Sequence, residues 1–175
     1  MTHSDRLIGL AVAYLAQRAQ LRLITAESCT GGLVASWITQ RSGSSLWFEG
    51  GVVSYSNALK QSVLGVSEAD LRTAGAVSEP VARAMAEGAV RRLGEGNGVY
   101  SACAITGVAG PSGGSVEKPV GTVWFAWALP NQPTDAVRRL FSGDRESIQR
   151  QAAWFALSEW CGRLTIWATR PPSIG

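Results

Sequence analysis

The sequence predicts a layered α/β sandwich built on a mixed sheet, and three observations carry that expectation. Helical and strand patterns alternate along the chain. Residues 120–141 read as two consecutive strands of a hairpin, so part of the sheet is antiparallel. The 175 residues, 46% of them hydrophobic, are enough for one domain with a substantial core but short for two. No internal repeat, linker or low-complexity tract divides the chain, so 1–175 is expected to be a single domain.

The elements follow in order. Leu7, Leu10, Ala11, Tyr14 and Leu15 recur at helical intervals, with Gln17, Arg18 and Gln20 polar beyond them, as in an amphipathic first helix begun by Ser4 or Asp5. Leu21 to Ala26 reads as a short buried strand, punctuated by Ser28, Thr30, Gly31 and Gly32 before Leu33 to Gln40 resumes a helical pattern. Phe48 to Tyr55 is β-rich, and Asn57 to Leu64 makes a short helix carrying Lys60. Ser67 with Asp70 resembles a weakened capping box, and Ser78-Glu79-Pro80 opens a longer helix to about Leu93, ended by Gly94, Gly96 and Gly98. Val99 to Ile105 is a further apolar strand. A glycine-rich loop from Thr106 to Pro119 leads into Val120 to Leu129, a strand buried on both faces, and Asp135 to Phe141 supplies another. Asp144 or Ser142 caps a last helix with Ile148, Ala152, Phe155 and Leu157 inward, and a tail over about 166–175 ends the chain.

Composition removes several classes of function. Sixteen basic against 13 acidic residues give a net charge of +3, but the basic residues are scattered, so no nucleic acid partner is expected. Cys29, Cys103 and Cys161 form no CxxC pair and are odd in number, which argues against a disulfide framework and a zinc site and for a reducing compartment. The single histidine, His3, lies near the terminus, so Ser-His-Asp, Cys-His and His-rich metal chemistry are not expected. Leu7 to Ala16 has the length of a signal-peptide core, but Asp5 offsets the positive front end and no cleavage site follows. No stretch reaches the roughly 18 apolar residues of a membrane span. A cytoplasmic protein with no membrane partner is the expectation.

Chemistry is concentrated in three segments. Ala26-Glu27-Ser28-Cys29-Thr30-Gly31-Gly32 puts hydroxyls and a thiol at a strand-to-helix turn, where N–H groups can hold a phosphate or the oxyanion of an attacked carbonyl. Simple helix capping by Ser28 or Thr30 is the alternative. Without a usable histidine, a serine nucleophile needs another base, and a lysine whose pKa is lowered by burial can serve. The chain has two lysines, Lys60 and Lys118, against fourteen arginines, which cannot deprotonate. Lys60 is either that base or an exposed residue on a short helix. Cys29 competes with Ser28 as nucleophile unless it is a small buried hydrophobe. The loop Thr106 to Ser115, followed by Glu117-Lys118-Pro119, matches neither a Walker loop nor GxGxxG, yet its length favours a binding role over a plain connection. Arg145, beside a helix start, suits phosphate or carboxylate, or else pairs with Glu146 or Glu159 on the surface.

Taken together these segments resemble the CinA C-terminal domain family. The resemblance rests on Ala26 to Gly32, Ser54-Tyr55-Ser56-Asn57 through Lys60, Gly75-Ala76-Val77-Ser78, Thr106-Gly107 through Pro111, Glu117 to Trp124 and Gly143-Asp144-Arg145, and covers the chain from Leu7 to about Cys161. Ser112 departs from it, standing where the family commonly has a glycine. The resemblance implies a three-layer α/β/α sandwich on a mixed, mostly parallel sheet. It also implies hydrolysis of the carboxamide of nicotinamide mononucleotide to nicotinate mononucleotide and ammonia, in pyridine nucleotide salvage, without metal or cofactor. Carried onto this sequence, Ser28 is the nucleophile, Lys60 the base and Tyr55 an orienting residue. Thr30, Gly31, Gly32, Thr106, Gly107, Gly110, Gly113, Gly114, Lys118 and Arg145 become substrate contacts. A homo-oligomer is compatible with this, and a non-catalytic nucleotide- or partner-binding module is the alternative.

Overall fold

The computed structural model describes residues 3–96 and 98–169. Five strands form one sheet in the order β2-β1-β3-β4-β5: β1 (Arg22–Glu27), β2 (Phe48–Val53), β3 (Tyr100–Gly107), β4 (Thr122–Ala128) and β5 (Asp135–Leu140). β1 pairs in parallel with β2 and β3, whereas β4 pairs antiparallel with both β3 and β5. The sheet is therefore mixed, and β4 alone runs against the other four. Its antiparallel pairing with β5 is the hairpin read in the sequence.

Helices cover both faces. α1 (His3–Arg18), α2 (Leu33–Thr39) and α6 (Arg145–Ala168) lie on one side, and α3 (Asn57–Leu64), α4 (Glu68–Thr73) and α5 (Glu79–Leu93) on the other. The strands feed the two layers alternately, as the period-two geometry of a strand requires. On β4, Val123, Phe125 and Trp127 enter the α1/α2/α6 layer while Ala126 and Ala128 enter the α5 layer. The first layer is aromatic, with Phe125, Trp127 and Trp160 fully buried. The second is rich in alanine, which lets α5 lie close to the sheet.

Most element boundaries agree with the sequence reading, including α3 and α5 at both ends. The face of α1 does not. Leu7, Leu10 and Tyr14 are exposed, and Gly9, Val12, Ala13 and Ala16 turn inward with Asp5, which ion-pairs with Arg150 at 2.6 Å. Close packing overrides hydrophobicity here. A β-carbon at Gly9 would stand 2.4 Å from the carbonyl oxygen of Trp37, so the small-residue side is the one able to approach α2. Of the tail expected from about 166, residues up to Ala168 continue α6, and residues 170–175 lie outside the described residues. Among the described residues no helix is long and apolar enough to cross a membrane, and no cluster of His, Cys, Asp or Glu could hold a metal.

Candidate active site

Four strands deliver the site to one edge of the sheet. Ser28 follows the end of β1, Ser54 and Tyr55 follow β2, Thr106 and Gly107 end β3, and the segment after β5 leads to Arg145 at the start of α6. Since these four strands point the same way, their carboxyl ends meet, which is where open α/β sheets form crevices. A cavity of about 180 Å³ lies there, lined by Ser28, Cys29, Tyr55, Lys60, Ala76, Val77, Thr106, Gly107, Ala109 and Arg145. Ser28, Lys60 and Thr106 form a buried floor, and Tyr55 and Arg145 an exposed rim. A more open depression of about 590 Å³ beside Arg6, Leu10, Trp37, Gln40 and Arg41 is larger but is lined by neither Ser28 nor Lys60.

Lys60 Nζ lies 3.0 Å from Ser28 Oγ. It also donates to the carbonyl oxygens of Ser54 at 2.6 Å and Tyr55 at 3.4 Å. Ser56 caps α3 by accepting the N–H of Leu59, which fixes the helix turn from which Lys60 enters the cavity. Lys60 is 1% exposed, and burial lowers its pKa from the ordinary 10.5. Burial has the opposite effect on the thiol of Cys29, pushing it up to about 12. At neutral pH that sulfur is protonated and a poor nucleophile. Of the two candidate nucleophiles, Ser28 is the one within hydrogen-bond reach of the Lys60 amine.

The turn after β1 is organised by a residue to which sequence reasoning gave no role. Glu27, 1% exposed, accepts the hydroxyl of Thr30 at 2.7 Å and the N–H groups of Gly32 and Val34 at 3.1 Å on one oxygen, and the N–H of Ala35 at 2.8 Å on the other. Gly31 and Gly32 take left-handed φ values of 63° and 96°, which let the chain fold back so tightly before α2. The donors expected to face a bound anion are thus largely spent on Glu27. One signal was present, a lone acidic residue closing an apolar strand with a threonine three positions on.

Arg145 donates to the carbonyl of Gly110 at 2.7 Å and to the hydroxyl of Tyr55 at 2.8 Å, and not to Glu146 or Glu159. Tyr55 therefore meets Lys60 through its backbone carbonyl only, its hydroxyl being turned to Arg145. Thr106 donates its hydroxyl to the carbonyl of Ala76, tying the 75–78 segment to the site. Other expected contacts lie elsewhere. Thr30, Gly31 and Gly32 line a neighbouring depression with Glu146, Gln149 and Arg150. Lys118 reaches back to the carbonyl of Ala74 at 2.6 Å, and Gly113 and Gly114 are exposed and outside the cavity lining.

The model of the CinA C-terminal domain matches residues 7–163. Nicotinamide-nucleotide amidohydrolase PncC of Escherichia coli strain K12 is 50% identical over 143 residues, covering 82% of this chain and 81% of that protein. A CinA-like protein of Anaeromyxobacter dehalogenans strain 2CP-C is 54% identical over 154 residues, or 88% of this chain, which spans only 36% of that relative. Among solved structures, competence damage-inducible protein A of Klebsiella pneumoniae superposes with a TM-score of 0.86 at 35% identity, over 93% of this chain and 98% of that one.

Proposed function

The chain belongs to the CinA C-terminal domain family, and from that premise we propose that it is an amidohydrolase converting nicotinamide mononucleotide to nicotinate mononucleotide and ammonia. The observation that carries the reading is the 3.0 Å contact between a buried serine hydroxyl and a buried lysine amine at the floor of a cavity. In this mechanism neutral Lys60 keeps two N–H donors on the carbonyls of Ser54 and Tyr55 and turns its lone pair to the Ser28 hydroxyl. Ser28 Oγ attacks the carboxamide carbon as its proton passes to Lys60. The tetrahedral oxyanion falls to the N–H of Cys29, a residue of the cavity lining whose N–H neither Glu27 nor the Gly31-to-Ser28 turn bond engages. Collapse breaks the C–N bond, Lys60 returns the proton to the departing ammonia, and water, deprotonated by the same amine, hydrolyses the acyl-enzyme.

The cavity's size supports the same reading, because about 180 Å³ suits the carboxamide-bearing ring, leaving ribose and phosphate toward Arg145 at the rim. The relatives named as amidohydrolases make this substrate the first to test, and its product would place the enzyme in pyridine nucleotide salvage. A silent nucleotide- or partner-binding module is the second reading, favoured by the Anaeromyxobacter relatives in which this domain is 36% of a longer chain. Ammonia release from nicotinamide mononucleotide, with nicotinamide and its riboside as controls, separates the two. Ser28→Ala should lower turnover at least about a thousandfold while retaining binding. No release by the parent protein would favour the silent module.

A further inference from the structure

Glu27 is tied to both halves of the Ser28–Lys60 pair, to Ser28 through the turn that follows it and to Lys60 through Ser54. Its side chain gathers Thr30 and the first N–H groups of α2, and so fixes the turn that begins at Ser28. Its carbonyl oxygen accepts the N–H of Ser54 at 2.8 Å, and the carbonyl of Ser54 in turn holds Lys60 Nζ at 2.6 Å. With three donors on one carboxylate oxygen and one on the other, Glu27 is engaged throughout and does not line the cavity. Proton transfer to substrate is therefore not its part.

We propose that Glu27 is a positioning residue for the amide hydrolysis: its carboxylate clamps the Ser28–Gly32 turn to the start of α2 and so holds Ser28 Oγ within reach of Lys60 Nζ. This rests on Ser28 being the nucleophile. A carboxylate suits the task because it is all acceptor, whereas a glutamine amide would bring two N–H donors against backbone donors. Threonine at position 30 contributes the one side-chain donor in the clamp, which gives a milder way to loosen it.

The test uses Glu27→Gln, Thr30→Val, Thr30→Ser and Ser28→Ala, each followed by ammonia release and by calorimetric titration with nicotinamide mononucleotide. Displacing the nucleophile by about an ångström costs on the order of a hundredfold. Glu27→Gln should fall by that order in kcat with its Kd for the substrate within a few-fold of the parent, and Thr30→Val should fall in the same sense with Thr30→Ser restoring the rate. A merely structural clamp would lose binding and turnover together, and that result would overturn the proposal. Unchanged kcat in Glu27→Gln would overturn it too. If Glu27→Gln does not fold, Thr30→Val decides: lost kcat with retained binding supports the clamp, and parental kcat refutes it. An active Ser28→Ala would instead strike the nucleophile assignment, a failure the Glu27 variants alone do not produce.

Discussion

Lys60 is buried at a thermodynamic cost, and the sign of that cost makes two measurements decisive. Its pKa is lowered by burial from 10.5. Between the lowered value and 10.5 the unfolded chain binds more protons than the folded one, so stability rises with pH through that window, and the penalty is complete below it. Lys60→Met should abolish ammonia release yet gain thermal stability relative to the parent at neutral pH, a gain that shrinks toward about pH 10; melting curves across that range check it. The rate should likewise rise with pH through the lowered value, and Lys60→Arg should be inactive at every pH because guanidinium stays charged. Cys29→Ala should stay close to the parent in turnover, its thiol being held protonated by burial. With two lysines and one histidine near the terminus, the sequence left Ser28 and Lys60 as candidates beside Cys29 and plain helix capping, and the family resemblance is what paired them. Glu27 was not legible in the same way, since three of its four partners are backbone N–H groups brought together only when the turn and α2 form. Nor was the Tyr55–Arg145 contact, which joins residues ninety positions apart.

Elements were read best where a local rule decides them. Ser67 accepts the N–H of Asp70 at the start of α4, and Asp144, of the two candidates, caps α6 by accepting the N–H of Ser147. The orientation of α1 was misread because hydrophobicity cannot report which side of a helix must come within a carbonyl's reach of its neighbour. The same kind of contact governs α3. A β-carbon at Gly88 in α5 would stand 1.8 Å from the carbonyl oxygen of Leu64, at the end of the helix that carries Lys60. Helix propensity alone favours alanine there by about 1 kcal/mol. Overpacking of about 1–3 kcal/mol wins, because the obstructing atom is backbone. Gly88→Ala should therefore lower the melting temperature and, by displacing α3, lower turnover beyond what the folded fraction explains; activity corrected for folded protein by circular dichroism tests this. At the start of α6, Arg145→Ala should weaken use of nicotinamide mononucleotide far more than use of the riboside, as expected of a phosphate contact. Equal losses would reduce Arg145 to a tie between Tyr55 and the Gly110 carbonyl.

At the scale of the whole molecule, strand direction is what makes one site from segments scattered between Ser28 and Arg145. The layered class and the hairpin were legible in the alternating patterns, but the strand order β2-β1-β3-β4-β5 was not, because it depends on pairings between distant segments. That order puts β1, which leads to Ser28, between β2 and β3, so Ser28 is flanked by the segment bearing Tyr55 and by Thr106. A ligand in this cavity contacts segments drawn from both helical layers and bears on the folding equilibrium of the entire domain. Ser28→Ala should bind nicotinamide mononucleotide without turning it over, and a hundredfold excess over Kd should then stabilise the fold by about 2.7 kcal/mol. At about 2–4 °C per kcal/mol for a domain of this size, the melting temperature should rise roughly 5–11 °C, with one sharp transition. Hydrogen exchange should slow together at the ends of β1, β2 and β3 and at the start of α6, not at one loop alone. A sharp melt that nicotinamide mononucleotide leaves unmoved at millimolar concentration would mean that this cavity does not receive the mononucleotide.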